Sequence, residues 1–247
     1  MEIFNSWLVN KYISYHGMHS KDNTENSLSA IKDAIAKDYA LLLSIRVIGG
    51  GTPVVFYDET LKHSTGKDGY LSSISSTDSL KEYKLNGSNQ HIITLAEALK
   101  AIGGKTPVIL EVRNFGQIGV IEENIAKILK NYKGAYAVAS YNPHSLFWFK
   151  ENCPDMLRGQ MSCYFKGEEI DHSLNKHQIR KLKQLKYNAK VSEPNFIIYD
   201  SKCLPNRFVN KIKDIPVLAN ITESQQEYIK IAKHCDNIIF KNFEPHI

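Results

Sequence analysis

The amino-acid sequence predicts an α/β fold of the TIM, or (β/α)8, barrel class, with an extra β-hairpin arm and a small lid insertion. Short β-branched runs alternate with helix-like segments along the chain, a pattern typical of βαβ units and a parallel sheet. The chain has 247 residues, a length at which such barrels commonly form a single domain. We therefore expect residues 1–247 to fold as one domain.

The strands are predicted from nine short apolar runs, two of which are joined too closely to be parallel. Residues 48–52 read Ile-Gly-Gly-Gly-Thr, which allows only a tight turn, whereas parallel strands need a crossover of about a dozen residues. Runs 41–47 and 53–57 are therefore predicted to form an antiparallel hairpin, and removing its return arm leaves the eight parallel strands of a barrel. The nine predicted strands are 12–15, 41–47, 53–57, 107–112, 135–140, 156–161, 195–199, 216–220 and 236–240.

Helices are predicted between these strands from apolar residues at helical spacing and from residues that favour helix starts. Thr94 and Glu97 form a capping-box pattern, in which each side chain bonds the backbone N–H of the other residue. Pro143 suits the first turn of a helix. The predicted helices cover 26–37 and 118–132 and begin at 94 and 143.

Segment 59–92 is predicted to be an insertion rather than part of the barrel wall. It is rich in Gly and Ser and contains no strand-like run. A long insertion in a compact barrel usually covers the mouth of the active site. We therefore expect a small lid there.

Charge and composition favour a globular protein that does not bind nucleic acid. The chain carries 31 Lys and Arg against 26 Asp and Glu, a net charge of +5. The lysines are scattered, with Lys181 and Lys183 the nearest approach to a cluster, and this pattern indicates solvated helix faces. Nucleic-acid binding calls for a basic stripe with interleaved aromatic residues, and the sequence shows none.

The sequence also predicts a cytoplasmic protein without a transmembrane segment. The first residues lack the basic and apolar regions of a signal peptide, and no apolar run approaches the roughly 20 residues that span a bilayer. The four cysteines form no C-x-x-C pair. We expect them to be free thiols in a reducing compartment.

Five segments resemble, in order and spacing, the motifs of the glycerophosphodiester phosphodiesterase family, metal-dependent enzymes that cut glycerol-phosphodiester head groups. The family reads I-A-H-R-G, T-E-N-S, I-E-L-D-V, V-V-F-H-D and I-E-I-K. The matching segments are 13–19, 23–27, 41–45, 54–58 and 109–113. The similarity extends from about residue 7 to 245 and implies a phosphoric diester hydrolase scaffold of lipid and glycerol-phosphate metabolism.

The reactive positions of that family are occupied by other residue types in this chain. Both family histidines align with tyrosines, Tyr15 and Tyr57, and two of the three metal-binding carboxylates align with Leu42 and Ser44. Only Glu111 keeps its carboxylate. Mg²⁺ and Ca²⁺, the metals of the family, prefer several carboxylate oxygens, so we expect no tightly bound metal and no other cofactor.

The resemblance also places a set of polar residues where the family binds phosphate and substrate. Arg113 replaces the family lysine, and it either binds a phosphate or pairs with Glu111 on the same strand face; both alternatives stay open. His16 replaces the family arginine and directly follows Tyr15, and strand alternation predicts that the two side chains face opposite sides. The predicted phosphate and pocket residues are His16, Arg113, Glu25, Asn142, Gln160, Tyr199 and Asn220.

Three functional hypotheses follow from this substituted site. The first is a catalytically inactive barrel, a pseudoenzyme, that binds glycerol phosphate, a phosphorylated polyol, a head group or a protein. The second is an active phosphodiesterase that has recruited His16, His19 or Glu25. The third is a regulatory or interaction module whose pocket is filled by its own side chains.

Overall fold

A computed structural model describes residues 3–19, 23–114, 116–165, 175–186 and 191–246. Its strands agree with the nine predicted runs to within about two residues at most ends, and one additional short strand is present. The strands are β1 (Ile13–Tyr15), β2 (Ala40–Val47), β3 (Pro53–Val55), β4 (Ile93–Thr94), β5 (Val108–Val112), β6 (Tyr136–Ser140), β7 (Arg158–Ser162), β8 (Phe196–Asp200), β9 (Val217–Thr222) and β10 (Asn237–Phe240).

The strand order confirms the TIM-barrel prediction. The sheet runs β1-β10-β9-β8-β7-β6-β5-β2-β3-β4, and β1 also pairs with β2, so the eight barrel strands return to their starting point. Strands β2 and β5 pair in parallel, directly and without β3 between them. Strand β3 instead pairs antiparallel with β2, which confirms the hairpin arm. The unpredicted β4 pairs antiparallel with β3.

Helices lie between the strands and begin where the capping residues indicate. Thr94 and Glu97 form the predicted capping box, and Pro143 occupies the first turn of its helix behind the N-cap Asn142. Both boundaries were therefore predicted by local side-chain chemistry. The helices are α1 (Trp7–Asn10), α2 (Leu28–Ala36), α3 (Lys62–Thr65), α4 (Leu95–Ile102), α5 (Val120–Leu129), α6 (Pro143–Asn152), α7 (Lys176–Lys183) and α8 (Gln225–Ile231).

The chain divides into two compact units, here called the N-terminal and C-terminal units. The N-terminal unit comprises Ser14–Asn114 and Ile118–Tyr136, and the C-terminal unit comprises Met1–Ile13, Phe115–Gln117 and Ala137–Ile247. That the whole chain forms one domain stays a prediction.

Within the N-terminal unit, the inserted segment 59–92 folds around a hydrophobic cluster of its own. It contains α3 and two 3-10 turns, Leu71–Ser73 and Asp78–Glu82, and its backbone pairs only through isolated bridges. Leu61, Leu71 and Leu80 are buried against Phe56 at the end of the hairpin arm. Apolar burial therefore fixes this segment to the end of the hairpin arm, next to Tyr57.

In the C-terminal unit, the outer side of β8 packs on residues that follow α7 and precede β9. Ile197 and Tyr199 are fully buried against Leu185, Val209 and Val217. Alternation places Ile197 and Tyr199 on the same face of the strand. This cluster therefore anchors the segments that follow α7 and precede β9 to strand β8.

We predict that Gly17→Ala destabilises the protein more than Gly87→Ala. Both glycines have left-handed backbone, at φ +85° and φ +73°, but a Cβ at Gly17 lies 2.6 Å from the Ala30 carbonyl carbon, whereas a Cβ at Gly87 meets nothing within 4 Å. Gly87→Ala therefore controls for backbone strain alone. The close contact should cost about 1–3 kcal/mol beyond the control, as overpacking typically does, measured by urea unfolding. Equal losses for the two variants would contradict the packing at Gly17.

Candidate active site

His16 lies in the candidate site because the chain turns at the end of β1. Its backbone is left-handed, with φ +57°. Its N–H donates to the carbonyl of Leu42 at 2.8 Å, and its own carbonyl accepts from the N–H of Asn26 at 2.9 Å. The His16 ring stacks on the Tyr15 ring, with 3.6 Å between centroids. The prediction that these two side chains face opposite sides was wrong, because strand alternation ends where φ becomes positive.

Ser44 and Glu111 stand opposite each other in the register between β2 and β5. Both side chains are buried, and the Ser44 hydroxyl donates to Glu111 Oε2 at 2.5 Å. His16 Nε2 lies 2.7 Å from the same hydroxyl oxygen. Because the single hydroxyl proton is directed to Glu111, His16 Nε2 must carry a hydrogen and donate it to Ser44.

The Glu111 carboxylate forms a buried ion pair with Arg113. Arg113 NH1 donates to Glu111 Oε1 at 2.6 Å, and both side chains are less than a tenth exposed. Burial by itself raises the pKa of Glu111, but the Arg113 guanidinium and the Ser44 hydrogen bond outweigh it, so the pKa is lowered. The pKa of Arg113 is raised, since Glu111 outweighs the effect of burial. Of the two alternatives for Arg113, the structure therefore shows the pairing with Glu111.

Glu25 approaches the opposite side of the His16 ring. Its Oε2 lies 3.4 Å from His16 Nδ1 and 4.0 Å from His19 Nε2, and its side chain is 29% exposed. A continuous chain of polar contacts therefore connects Glu25 through His16 and Ser44 to Glu111 and Arg113. We refer to these five residues as the buried polar chain.

Tyr15 and Tyr57, which align with the family histidines, lie beside the buried polar chain and contact it through their aromatic rings. Tyr57 presents its ring to the Arg113 guanidinium, 3.9 Å from Cζ to the ring centroid, a cation–π contact. Burial and the negative charge of Glu111 raise the pKa of Tyr15 well above its ordinary value. Tyr15 therefore stays a neutral phenol at physiological pH and cannot act there as a general base.

Arg46 belongs to this region and was missed by the sequence analysis. Its Nε donates to the carbonyl of Tyr57 at 2.7 Å. Burial first, and then repulsion from Arg113, lower the pKa of Arg46 to about 10, which leaves the guanidinium charged at neutral pH. An arginine inside the apolar run of β2 was the available signal, because a partly buried cation in a strand requires a specific partner.

The residues at the family metal positions do not fit a divalent cation. Leu42 is fully buried and offers no oxygen. Ser44 supplies one hydroxyl, and Glu111 already binds Ser44 and the Arg113 guanidinium through its two oxygens. A cation at Glu111 would lie against that guanidinium. Among the described residues, no group of three or more His, Cys, Asp or Glu side chains could hold a metal ion.

The remaining predicted pocket residues lie in the C-terminal unit. Asn142 caps α6, its side-chain oxygen accepting from the N–H of His144 at 3.0 Å. Gln160 is buried, and its amide nitrogen lies within hydrogen-bond distance of three carbonyls. Tyr199 is fully buried in the cluster on β8, and its hydroxyl donates to the carbonyl of Lys183 at 3.1 Å. The side-chain oxygens of Gln160 and Asn220 have no hydrogen-bond partner among the described residues.

Solved structures of glycerophosphodiester phosphodiesterases are similar to this chain over nearly its whole length. A phosphodiesterase of Oleispira antarctica in complex with the product sn-glycerol-3-phosphate has a TM-score of 0.78 at 19% identity, covering 94% of this chain and 93% of that one. The Thermotoga maritima enzyme has a TM-score of 0.70 at 19% identity, covering 93% of each. An Agrobacterium tumefaciens enzyme has a TM-score of 0.68 at 14% identity, covering 93% of this chain and 95% of that one.

This chain therefore resembles the glycerophosphodiester phosphodiesterases and has their TIM-barrel fold. No protein-family model and no curated protein matches the sequence. In the described part of the chain, no helix has the length and apolar character to cross a membrane. All four cysteines are free, as predicted.

We predict that Arg113→Met destabilises the protein by about 3–5 kcal/mol at pH 7, because it leaves the Glu111 carboxylate buried without its cation. Folding lowers the pKa of Glu111 in the natural protein, so its stabilisation is present above the ordinary carboxyl pKa of about 4 and is lost as pH falls through the lowered value. In the variant, unopposed burial favours the protonated carboxyl. The difference between the two proteins should therefore narrow from pH 7 towards pH 4, measured by urea unfolding.

Lys127→Met provides the control for the Arg113 variant. Lys127 pairs with Glu123 on α5, but both side chains are more than half exposed, so its loss should cost less than about 1 kcal/mol. The double variant Glu111→Leu/Arg113→Met should recover most of the stability, since buried ion pairs can be replaced by apolar residues. An Arg113→Met protein as stable as Lys127→Met would show that the buried pair does not stabilise the fold.

Proposed function

We propose that this protein is a catalytically inactive relative of the glycerophosphodiester phosphodiesterases, a pseudoenzyme that keeps their barrel as a scaffold. One observation supports this best. Glu111, the one carboxylate at the three family metal positions, binds the Ser44 hydroxyl and the Arg113 guanidinium through its two oxygens. The guanidinium thus supplies the cation that this buried carboxylate needs, and a metal is not required to balance its charge.

The chemistry of phosphodiester hydrolysis explains why this arrangement favours inactivity. The reaction needs charge neutralisation at the phosphoryl oxygens, an activated nucleophile and an acid for the departing alkoxide. Tyr15 is a buried neutral phenol, Leu42 is apolar, and the Ser44 hydroxyl is fully buried and donates to Glu111. At neutral pH none of the three groups carries a charge that neutralises the phosphoryl oxygens or accepts a proton to activate a nucleophile.

The ligand that we propose for the scaffold is a glycerol phosphate or a related phosphorylated polyol. The Oleispira antarctica structure contains sn-glycerol-3-phosphate on the same fold. In this chain, the permanent cation Arg46 is only partly buried and binds the carbonyl of Tyr57 through Nε, and arginine suits the geometry of phosphate oxygens. We place this binding function in the cytoplasm and without nucleic-acid partners.

An altered active site is the second candidate, and the contacts of His16 are the reason to consider it. His16 lies between the Glu25 carboxylate and the Ser44 hydroxyl, at 3.4 Å and 2.7 Å, an order of groups found where serine acts as a nucleophile. Ser44 nevertheless directs its proton to Glu111, and both His16 and Ser44 are buried. A buried hydroxyl that cannot reach a substrate favours the inactive protein.

We predict that Mg²⁺, Mn²⁺ and Ca²⁺ bind at Glu111 no tighter than about millimolar, the weak end of the range for oxygen-ligand sites. Isothermal titration calorimetry of the natural protein and of Glu111→Gln tests this directly. As a positive control, Leu42→Glu/Ser44→Asp/Arg113→Lys restores the family residues and frees Glu111 from the guanidinium, and it should bind more tightly. Micromolar affinity in the natural protein that disappears in Glu111→Gln would contradict the prediction.

We predict turnover well below about 1 s⁻¹, the lower end of ordinary enzyme rates, on glycerophosphocholine, glycerophosphoethanolamine and glycerophosphoglycerol. Loss of one acid–base group typically lowers a rate by about 10²–10⁴, and both family histidines are replaced here. A coupled assay for glycerol 3-phosphate with added divalent ions measures the rate. The comparison is a variant that carries Tyr15→His, Leu42→Glu, Ser44→Asp, Tyr57→His and Arg113→Lys.

The two outcomes of this assay are distinct. Turnover of the natural protein at about 1 s⁻¹ or faster would reject the pseudoenzyme proposal. In that case His16→Gln shows whether the altered site is responsible, because His16 is the imidazole that contacts both Ser44 and Glu25. Activity that appears only after the five substitutions would support the proposal most strongly.

A further inference from the structure

A cavity of about 780 Å³ lies in the C-terminal unit and shares no described residue with the buried polar chain. It is formed by the residues after α7, the residues before β8, and segment 207–215 before β9. Its volume is within the range of small-molecule binding sites, about 300–1,000 Å³. None of its lining residues belongs to the predicted phosphate and pocket set.

The floor of the cavity is apolar and continuous with the core of its unit. Leu185, Ile212 and Ile215 line the cavity and pack with the buried cluster that contains Ile197 and Tyr199 on β8. Phe208 adds an aromatic ring to the lining. A floor held by the core offers a fixed apolar surface, the usual lining of small-molecule sites.

Leu185 lies in this floor because α7 ends in a left-handed turn at a residue that is not glycine. The N–H of Leu185 donates to the carbonyl of Leu182 and the N–H of Lys186 donates to that of Lys181, both at 2.9 Å, which is the Schellman pattern. Leu185 therefore takes a left-handed backbone, with φ +55°, at the position that glycine normally occupies. Leucine is unfavourable in this conformation, and here its side chain is directed into the cluster and the cavity.

The opposite side of the cavity is held by Asn206, which is buried. Its side-chain oxygen accepts from the N–H groups of Phe208 and Val209, both at 3.0 Å, and its amide donates to the carbonyl of Cys203 at 3.0 Å. These three bonds fix the backbone that carries Arg207 and Phe208. A ligand would therefore meet a preformed wall, which lowers the entropic cost of binding.

The rim of the cavity is rich in positive charge. Lys186, Arg207 and Lys211 are exposed lining residues, and none of them forms an ion pair with a described carboxylate. Arg207 extends along the Phe208 ring, 5.0 Å from Cζ to the centroid. Of the two acidic lining residues, Glu193 pairs with Lys150 at 3.0 Å and Asp214 is the other.

The sequence around the cavity accounts for the whole positive excess of the chain. Residues 175–215 contain ten Lys and Arg against three Asp and Glu, whereas the complete chain has a net charge of +5. The field near the cavity therefore attracts anions. Three of these ten cations, Lys186, Arg207 and Lys211, line the apolar depression.

We propose that this cavity binds an amphipathic organic anion. An apolar chain or ring of the ligand packs on Leu185, Phe208, Ile212 and Ile215, and a carboxylate or phosphate head meets Lys186, Arg207 and Lys211 at the rim. A carboxylate head and a phosphate head are both suitable, because each accepts hydrogen bonds from the ammonium and guanidinium groups of the rim.

Isothermal titration calorimetry with four amphiphiles of similar alkyl chain length, and with inorganic phosphate alone, tests the ligand class. Decanoate and decyl phosphate should bind with saturation and a stoichiometry near one, and decyltrimethylammonium should bind at least about tenfold more weakly because its head is repelled. Saturable binding of both anions, or of only one of them, supports the proposal and shows whether the site accepts a carboxylate head, a phosphate head or both. Decanol should be weaker than the anions, and inorganic phosphate alone should not saturate. Equal affinity for the cationic probe, or no saturable binding of either anion, would reject the proposal.

Two double variants with the same change in net charge locate the site. Arg207→Glu/Lys211→Glu should weaken the better anion about tenfold or more, since it replaces two charge-assisted contacts. Lys230→Glu/Lys233→Glu changes two exposed lysines that neither line the cavity nor adjoin a lining residue in the sequence, and it should weaken binding less than about threefold because it removes no contact with the anion. Equal losses for the two variants would place the anion elsewhere.

Hydrogen exchange on the unaltered protein gives a readout that does not depend on the variants. Saturating decyl phosphate should slow exchange in segment 203–215, whose backbone is fixed by Asn206. The N-terminal unit should be unaffected. Protection confined to residues 14–114 would mean that the ligand binds at the buried polar chain, and the cavity proposal would be wrong.

Discussion

The buried ion pair between Glu111 and Arg113 is the interaction on which the candidate site depends. A carboxylate without solvent or a cation is very costly inside a protein, and Glu111 is 2% exposed. Three clustered carboxylates need a divalent metal, whereas one carboxylate needs a single positive charge. A guanidinium 2.6 Å away supplies that charge, so Arg113 balances Glu111 without a metal.

The residues around the Glu111–Arg113 pair also meet the need of buried polar groups for partners. Ser44 satisfies the second oxygen of Glu111 without adding negative charge, and His16 satisfies Ser44 in turn. Tyr57 covers the guanidinium with its ring. Replacing Ser44 by an acid would return a negative charge beside Glu111 and would require a further cation. The residues of the buried polar chain are therefore linked by electrostatics rather than placed independently.

The two sites of the protein differ in how their charges are satisfied. In the N-terminal unit the polar groups of the buried chain bind one another and are largely removed from solvent. In the C-terminal unit, Lys186, Arg207 and Lys211 surround an apolar floor and form no ion pair with a described carboxylate. Charges that satisfy each other stabilise a structure and leave little for a ligand, whereas charges beside an apolar surface remain available for one. This contrast is the reason for proposing a separate anion site at the cavity of the C-terminal unit.

The sequence by itself determined the barrel class and, through the motif resemblance, the residues that align with the reactive positions of the family. Alternating strand and helix patterns predicted the eight parallel strands, and the Gly49–Gly51 turn predicted the antiparallel arm, because both are local properties of the chain. The two-residue β4 was missed, since so short a strand has no periodic pattern to read. The motif spacing also located Tyr15, Leu42, Ser44, Tyr57 and Glu111 without any coordinates.

Only the tertiary structure decided what these residues do. The left-handed backbone of His16 brings its ring to Ser44, and alternation along a strand could not predict this. The pairing of Arg113 with Glu111 depends on the direction of two side chains, and the contact of Arg46 with the Tyr57 carbonyl depends on how the hairpin packs. The cavity joins the end of α7 to residues 207–215, more than 20 positions later. Sequence patterns report local backbone preferences, whereas contacts between distant residues are fixed when the chain packs.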